Sequence, residues 1–155
     1  MENTHEKKQW EVAEIQLSYK SNVKPSLRPK ITSSRDAHEV LKRVWNDSII
    51  ELCEQFKVIF TNRANKVLGV FEVSTGGIAG TVADPKLIFV AALKAGATSL
   101  ILSHNHPSGN LTPSHADIEL TKKIKEGGRL LEIQVLDHII ITSESYYSFA
   151  DEGLL

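Results

Sequence analysis

Asp84-Pro85-Lys86-Leu87-Ile88-Phe89-Val90-Ala91-Ala92-Leu93-Lys94-Ala95-Gly96-Ala97-Thr98-Ser99-Leu100-Ile101-Leu102-Ser103 holds the alternation that decides the fold class. Asp84 can accept hydrogen bonds from the exposed N–H groups of a first helical turn. Pro85 suits the first helical position, where its missing N–H costs nothing. Leu87, Ile88, Ala91, Ala92 and Ala95 recur at helical spacing and give that helix a buried face. Gly96 ends it. Thr98 to Ser103 is a short apolar run of the kind found in a strand covered on both faces. After a loop from His104 to Thr112, Thr112-Pro113 starts a second helix by the same logic. It is expected to run to about Lys125 and to stop at Gly127-Gly128. Helix, buried strand and helix together predict an α/β layered domain.

Working outward, Phe56 to Phe60 and Val67 to Val73 read as two strands joined by a turn over Thr61 to Asn65. Gly76-Gly77 and Gly80 mark a loop. Ser34 or Asp36 can cap an earlier helix carrying Ala37, Val40, Leu41, Val44, Trp45 and Ile49 as one apolar stripe. Residues 20–32 read as a loop. Val12 to Tyr19 alternates in part, with Ile15, Leu17 and Tyr19 on one side, and reads as a strand. Residues 1–10 are polar and expected to fray. Leu131 to Val135, His138 to Thr142 and Tyr146 to Ala150 read as closing strands. The expected organisation is an amino-terminal extension with one strand over 1–30, then a single domain over 31–155.

The chain has 155 residues, 41% hydrophobic and 24% charged, which suits one globular domain rather than a disordered or fibrous chain. Eighteen Lys and Arg against 19 Asp and Glu leave a formal net charge of −1, so nothing draws the whole molecule to nucleic acid or anionic lipid. A local basic patch stays open, but Lys122, Lys123 and Lys125 read as a solvated helix face. Cys53 is the one cysteine: it excludes an internal disulfide and any zinc site built on two thiolates, and it reads as a small buried apolar residue. No apolar run approaches a membrane span, and the first eight residues lack an apolar signal core. The expectation is a cytoplasmic protein with no membrane partner.

His104-Asn105-His106 is the first feature the fold does not require. In an extended segment residues i and i+2 point to one side, so both imidazoles can converge on a divalent metal, zinc above all. The plain alternative is two surface histidines in a loop. Ser114 and Asp117 lie three apart in the first turns of the following helix and share a face. Asp117 can be a third ligand, with the Ser114 hydroxyl beside it. Alternatively the two residues form a capping box, which would leave the histidines unexplained. Two histidines and one aspartate leave a fourth position for water, as catalytic zinc sites do, although such a set also accepts other first-row ions. Glu72 interrupts the apolar run Val70-Phe71-Glu72-Val73. It is either a buried carboxylate with a functional partner or the solvent face of a half-exposed strand. His138 reads as a hydrogen-bonded structural histidine. His5, His38 and His115 read as surface residues.

His104-x-His106-Pro107-Ser108-Gly109 followed by Thr112-Pro113-Ser114-x-x-Asp117 resembles the JAMM signature of the JAB/MPN metalloproteases, and its RadC-like branch most closely. The likeness continues through Leu136-Asp137-His138-Ile139-Ile140 and Tyr147-Ser148-Phe149-Ala150-Asp151-Glu152-Gly153, covering roughly residues 30–155. The resemblance implies a cytidine-deaminase-like three-layer α/β/α sandwich around a mixed β-sheet. It implies one zinc ion held by His104, His106 and Asp117, Glu72 as general acid and base, and Ser114 as oxyanion stabiliser. The implied reaction is hydrolysis of a peptide or isopeptide bond, with a peptide or protein as substrate. Longer RadC proteins carry an amino-terminal region related to helix–hairpin–helix DNA-binding domains, a pattern the first thirty residues here lack. The reading from another class is a non-catalytic binding or accessory domain in DNA repair or other DNA transactions. Oligomeric state is not legible.

Overall fold

The computed structural model describes residues 10–77 and 81–155. The polar terminus up to residue 9, with His5, and the loop marker Gly80 lie outside the described residues. Among the described residues the strands are β1 (Gln55–Thr61), β2 (Val67–Thr75), β3 (Ser99–Asn105), β4 (Gln134–Ile141) and β5 (Tyr146–Ser148). They form one mixed sheet in the order β2-β1-β3-β4-β5. β3 and β4 run parallel, and the helix between them, α3 (His115–Leu130), is the crossover such a pair needs. The other neighbours are antiparallel. α1 (Ser34–Val44) covers one face of the sheet, while α2 (Pro85–Ala95) and α3 cover the other. This is a three-layer α/β/α sandwich of the JAB/MPN kind, as expected.

Strand parity sorts the core. On β1 and β3 the even positions Phe56, Val58, Phe60, Leu100 and Leu102 pack with Ile88, Ala92 and Ile124 of α2 and α3. The odd positions Ile59 and Ile101 pack with Ala37, Leu41 and Trp45 at α1. Both faces are covered, so every residue of β1 and β3 is buried.

α2 follows its sequence signals. Asp84 accepts from the Lys86 N–H at 2.9 Å, and Gly96 takes the left-handed C-cap at φ 65°. Its Leu87, expected inside, faces solvent. α1 is capped one residue earlier than expected: Ser33 Oγ accepts the Asp36 N–H, and the Asp36 carboxylate accepts the Ser33 N–H. α1 ends at Val44, so Ile49 lies in the turns beyond.

α3 runs through Gly127-Gly128 to Leu130 instead of stopping there. A side chain on Gly128 would collide with the Ile133 carbonyl oxygen, and a Cβ on Gly127 would stand 2.8 Å from the Phe89 ring. Both glycines therefore serve close approach within the helix. β3 extends through His104 and Asn105, which were read as loop. The two strands expected over Leu131–Val135 and His138–Thr142 are the single strand β4, with an irregularity in its pairing between Leu100 and Ile101. β5 stops at Ser148, two residues before the expected end.

The strand expected over Val12–Tyr19 is a correction, and with it the one-strand extension. Residues 10–20 form no strand, and Trp10, Val12, Ile15 and Leu17 are exposed. A strand needs a neighbour's N–H and C=O groups. The segment's tie to the domain is a hydrogen bond of 2.7 Å from the Tyr19 hydroxyl to the Leu68 carbonyl. Among the described residues no helix is long and apolar enough to cross a membrane.

Candidate metal centre

His104 is an even position near the end of β3, so its side chain joins the face under α3. His106 follows immediately after the strand, held by its N–H to the Ile141 carbonyl at 3.2 Å. Asp117 sits in the first turn of α3. The three meet. His104 Nε2 lies 3.0 Å from His106 Nε2 and 3.3 Å from Asp117 Oδ1, and His106 Nε2 lies 3.7 Å from Asp117 Oδ2. Among the described residues this trio is a group that could hold a metal ion, its donor atoms all within 4.8 Å of one another. Ligands about 2.0–2.1 Å from a tetrahedral ion stand about 3.3–3.4 Å apart, so the spacing fits one small cation.

The outer nitrogens are already used. His106 Nδ1–H donates to the Asn110 carbonyl at 2.6 Å, and His104 Nδ1 faces His138 Nε2 at 2.8 Å. Both rings thus turn Nε2 inward. The capping box and the ligand cluster coexist. Ser114 Oγ accepts the Asp117 N–H at 3.1 Å, while Asp117 Oδ2 accepts the Ser114 N–H at 2.7 Å, which fixes the carboxylate against the histidines. Burial opposes ionisation of Asp117. The His104 and His106 rings beside it overcome that effect and hold the carboxyl well below the usual range. The Asp117 carboxylate in turn raises the pKa of His106 against the effect of burial, with smaller contributions from the Asn110 carbonyl and the Glu54 charge. His106 is half-buried and Ser114 exposed, so the cluster opens to solvent on that side.

Glu72 is not brought to this cluster. It pairs with Lys57 in the β1–β2 register, and its carboxylate takes the Lys57 ammonium at 2.9 Å and the Thr75 hydroxyl at 2.7 Å. Lys57 is an odd position of β1. Its ammonium also donates to the Val44 carbonyl and lies over the Trp45 ring. Glu72 therefore belongs to the α1 face, opposite His104, with its side chain 46% exposed at the sheet edge. Hydrogen bonds from Lys57 and Thr75 lower its pKa.

Another carboxylate, Glu54, lies near His106. Phe56 pairs with His104. Glu54 lies just before β1, and its negative charge reaches His106 and helps raise that ring's pKa. The segment is pinned by Asn105, the middle residue of the histidine motif. Asn105 Oδ1 accepts the Gln55 N–H at 2.7 Å, and Nδ2 donates to the Ile50 and Cys53 carbonyls at 2.7 and 2.9 Å. Sequence reasoning overlooked Glu54. The signal that would find it is the pairing of β1 with the histidine strand, fifty residues away.

His115 and the three lysines of α3 face solvent, and Cys53 is half-buried. His138 is a buried, hydrogen-bonded histidine. His38, read as a surface residue, is half-buried and stacks on Tyr146 at 4.3 Å.

A model of the RadC-like JAB domain matches residues 31–154. The chain belongs to the RadC-like JAB family. Similar proteins include a UPF0758 protein of Flavobacterium johnsoniae, 48% identical over 145 residues, covering 92% of this chain and 62% of that protein. A UPF0758 protein of Symbiobacterium thermophilum is 37% identical over 145 residues, covering 93% of this chain and 60% of its own length. One of Chlorobaculum tepidum is 34% identical over 151 residues, covering 97% and 67%. The RadC-like match spans α1 to β5 and includes every residue of the cluster. The chain itself spans about three-fifths of the length of the first two relatives.

Proposed function

We propose that this domain is a zinc-dependent metallohydrolase of the JAMM type that cleaves a peptide or isopeptide bond in a peptide or protein substrate. The observation that carries this reading is the convergence of His104 Nε2, His106 Nε2 and Asp117 on one point, with both Nδ1 atoms engaged elsewhere. His104, His106 and Asp117 would hold the ion. When bound, zinc would supply a Lewis acid and lower the pKa of a water toward 7.

The chain's own residues supply the rest. Ser114 Oγ accepts from the Asp117 N–H, which leaves its hydroxyl proton available for an oxyanion at the open side of the cluster. The acid–base role goes to Glu54. The reach of its charge to His106 from the segment just before β1 supports this choice, whereas Glu72 is neutralised by Lys57 on the other face.

The test is the metal content of the purified protein together with cleavage of a panel of fluorogenic peptides and isopeptide conjugates. About one zinc per chain and chelator-sensitive cleavage are expected. No metal after incubation with zinc, or cleavage indifferent to chelator, overturns the reading. In the first case, salt-dependent DNA affinity would favour the accessory-domain reading instead.

A further inference from the structure

His138 is fully buried on β4, in register with Leu102 and on the face of the metal ligands. Its ring stacks on Phe149 at 4.5 Å and meets the edge of Phe56 at 5.7 Å. Both nitrogens are committed. Nε2 lies 2.8 Å from His104 Nδ1, and Nδ1 lies 2.6 Å from Thr121 Oγ1. Thr121 Oγ1 in turn stands 2.7 Å from the Asp117 carbonyl oxygen, one turn back on α3. The chain of contacts thus begins at the backbone of one proposed ligand and ends on the ring of another.

Donor and acceptor capacities give this chain a direction. A carbonyl only accepts, so the single hydroxyl proton of Thr121 goes to Asp117. The Thr121 oxygen then accepts from His138 Nδ1–H. A neutral imidazole carries one proton, which leaves a lone pair on His138 Nε2 to accept His104 Nδ1–H. The lone pair of His104 is thereby placed on Nε2, the atom that faces His106 and Asp117. Reversing the chain turns the Thr121 hydroxyl toward His138 and puts a proton on His104 Nε2, where a cation would have to sit. That arrangement also forfeits the hydrogen bond from the Thr121 hydroxyl to the Asp117 carbonyl.

We propose that Thr121 and His138 form a buried tautomer lock that holds His104 in its metal-ready form, which makes His138 a positioning residue of the site. The metal part of this inference rests on the reading of His104, His106 and Asp117 as ligands. The lock is a property of the metal-free protein as well.

Long-range 15N–1H correlation of the imidazole nitrogens in metal-free protein reads the lock directly. The expected result is a proton on Nδ1 of both His104 and His138. Thr121→Val, nearly equal in shape, should redistribute the His138 proton and weaken zinc affinity about 10–100-fold by chelator competition. Thr121→Ser should restore both. His138→Gln, whose amide oxygen can accept from His104 Nδ1–H, should retain more affinity than His138→Phe, and circular dichroism identifies a variant that fails to fold. His104 protonated on Nε2 in the wild type overturns the lock. So does a folded Thr121→Val with wild-type tautomers and zinc affinity. A wild type that takes up no metal sinks the ligand reading alone, since the nitrogen spectra still decide the lock.

Discussion

The two faces of β1, β3 and β4 end in different chemistry. Under α3, the rings of Phe56, His104 and His138 pack against one another, and the polar atoms of His104, His106 and Asp117 turn inward. Under α1, the next positions along the same strands are Lys57, Ser103 and Ile139. There the charge is satisfied internally, because the Lys57 ammonium is shared by Glu72, the Val44 carbonyl and the Trp45 ring. One face gathers two imidazoles and a carboxylate around one point, and the other brings its own cation. A step of one residue along a strand moves a side chain between these environments. For a carboxylate it decides between the histidine cluster and an ordinary ion pair.

The sharpest contrast between the faces is in metal binding. Asp117→Ala should abolish stoichiometric zinc retention, measured by mass spectrometry after dialysis, whereas Lys57→Met should leave it intact. Zinc lost equally from both would break the division. Next comes turnover on any substrate the wild type cleaves. Glu54→Gln should lower kcat by about 10²–10⁴ while sparing metal content, and Glu72→Gln should stay within about threefold. The reverse ranking would restore the acid–base role to Glu72.

Smaller effects probe stability. Asp137, at the β4 irregularity, accepts from the His138 and Ala150 N–H groups and the Ser148 hydroxyl. Asp137→Ala should cost about 1–3 kcal/mol in urea unfolding, since it leaves buried donors without a partner. Burial raises the pKa of Asp137 above that of an ordinary aspartate despite those donors. A carboxyl whose folded pKa is raised binds its proton more tightly in the native state. Its contribution to stability is therefore largest at low pH and is lost as pH rises through the folded pKa. Wild type should thus gain stability relative to Asp137→Asn as pH falls from 7 toward 4. A flat difference would refute the assignment. The smallest effect expected is on the stability of Lys57→Met, within about 1 kcal/mol of wild type, because Glu72 is nearly half exposed.

How much was legible follows from the range of the forces involved. α2 was read almost in full, because its cap, proline and terminal glycine act within a few residues of one another. His104, His106, Ser114 and Asp117 were legible as a motif for the same reason, since a strand end and a helix start place them locally. The glycines of α3 were misread because their task is close approach to Ile133 and Phe89, which local sequence does not reveal. Val12–Tyr19 carried the alternation of a strand without a neighbour to pair with. Glu54 was overlooked because its nearness to His106 depends on the packing of β1 against β3, a contact between distant segments.

Asn105, clamped to Ile50, Cys53 and Gln55, bears on how this site can be watched. Its two side-chain amide protons and the Gln55 amide proton are held in a buried seam. They should exchange with deuterium only when the strand of the histidines parts from the segment bearing Glu54. Their exchange rates therefore time the opening of the histidine–aspartate cluster itself, in a protein that needs neither substrate nor turnover to report it.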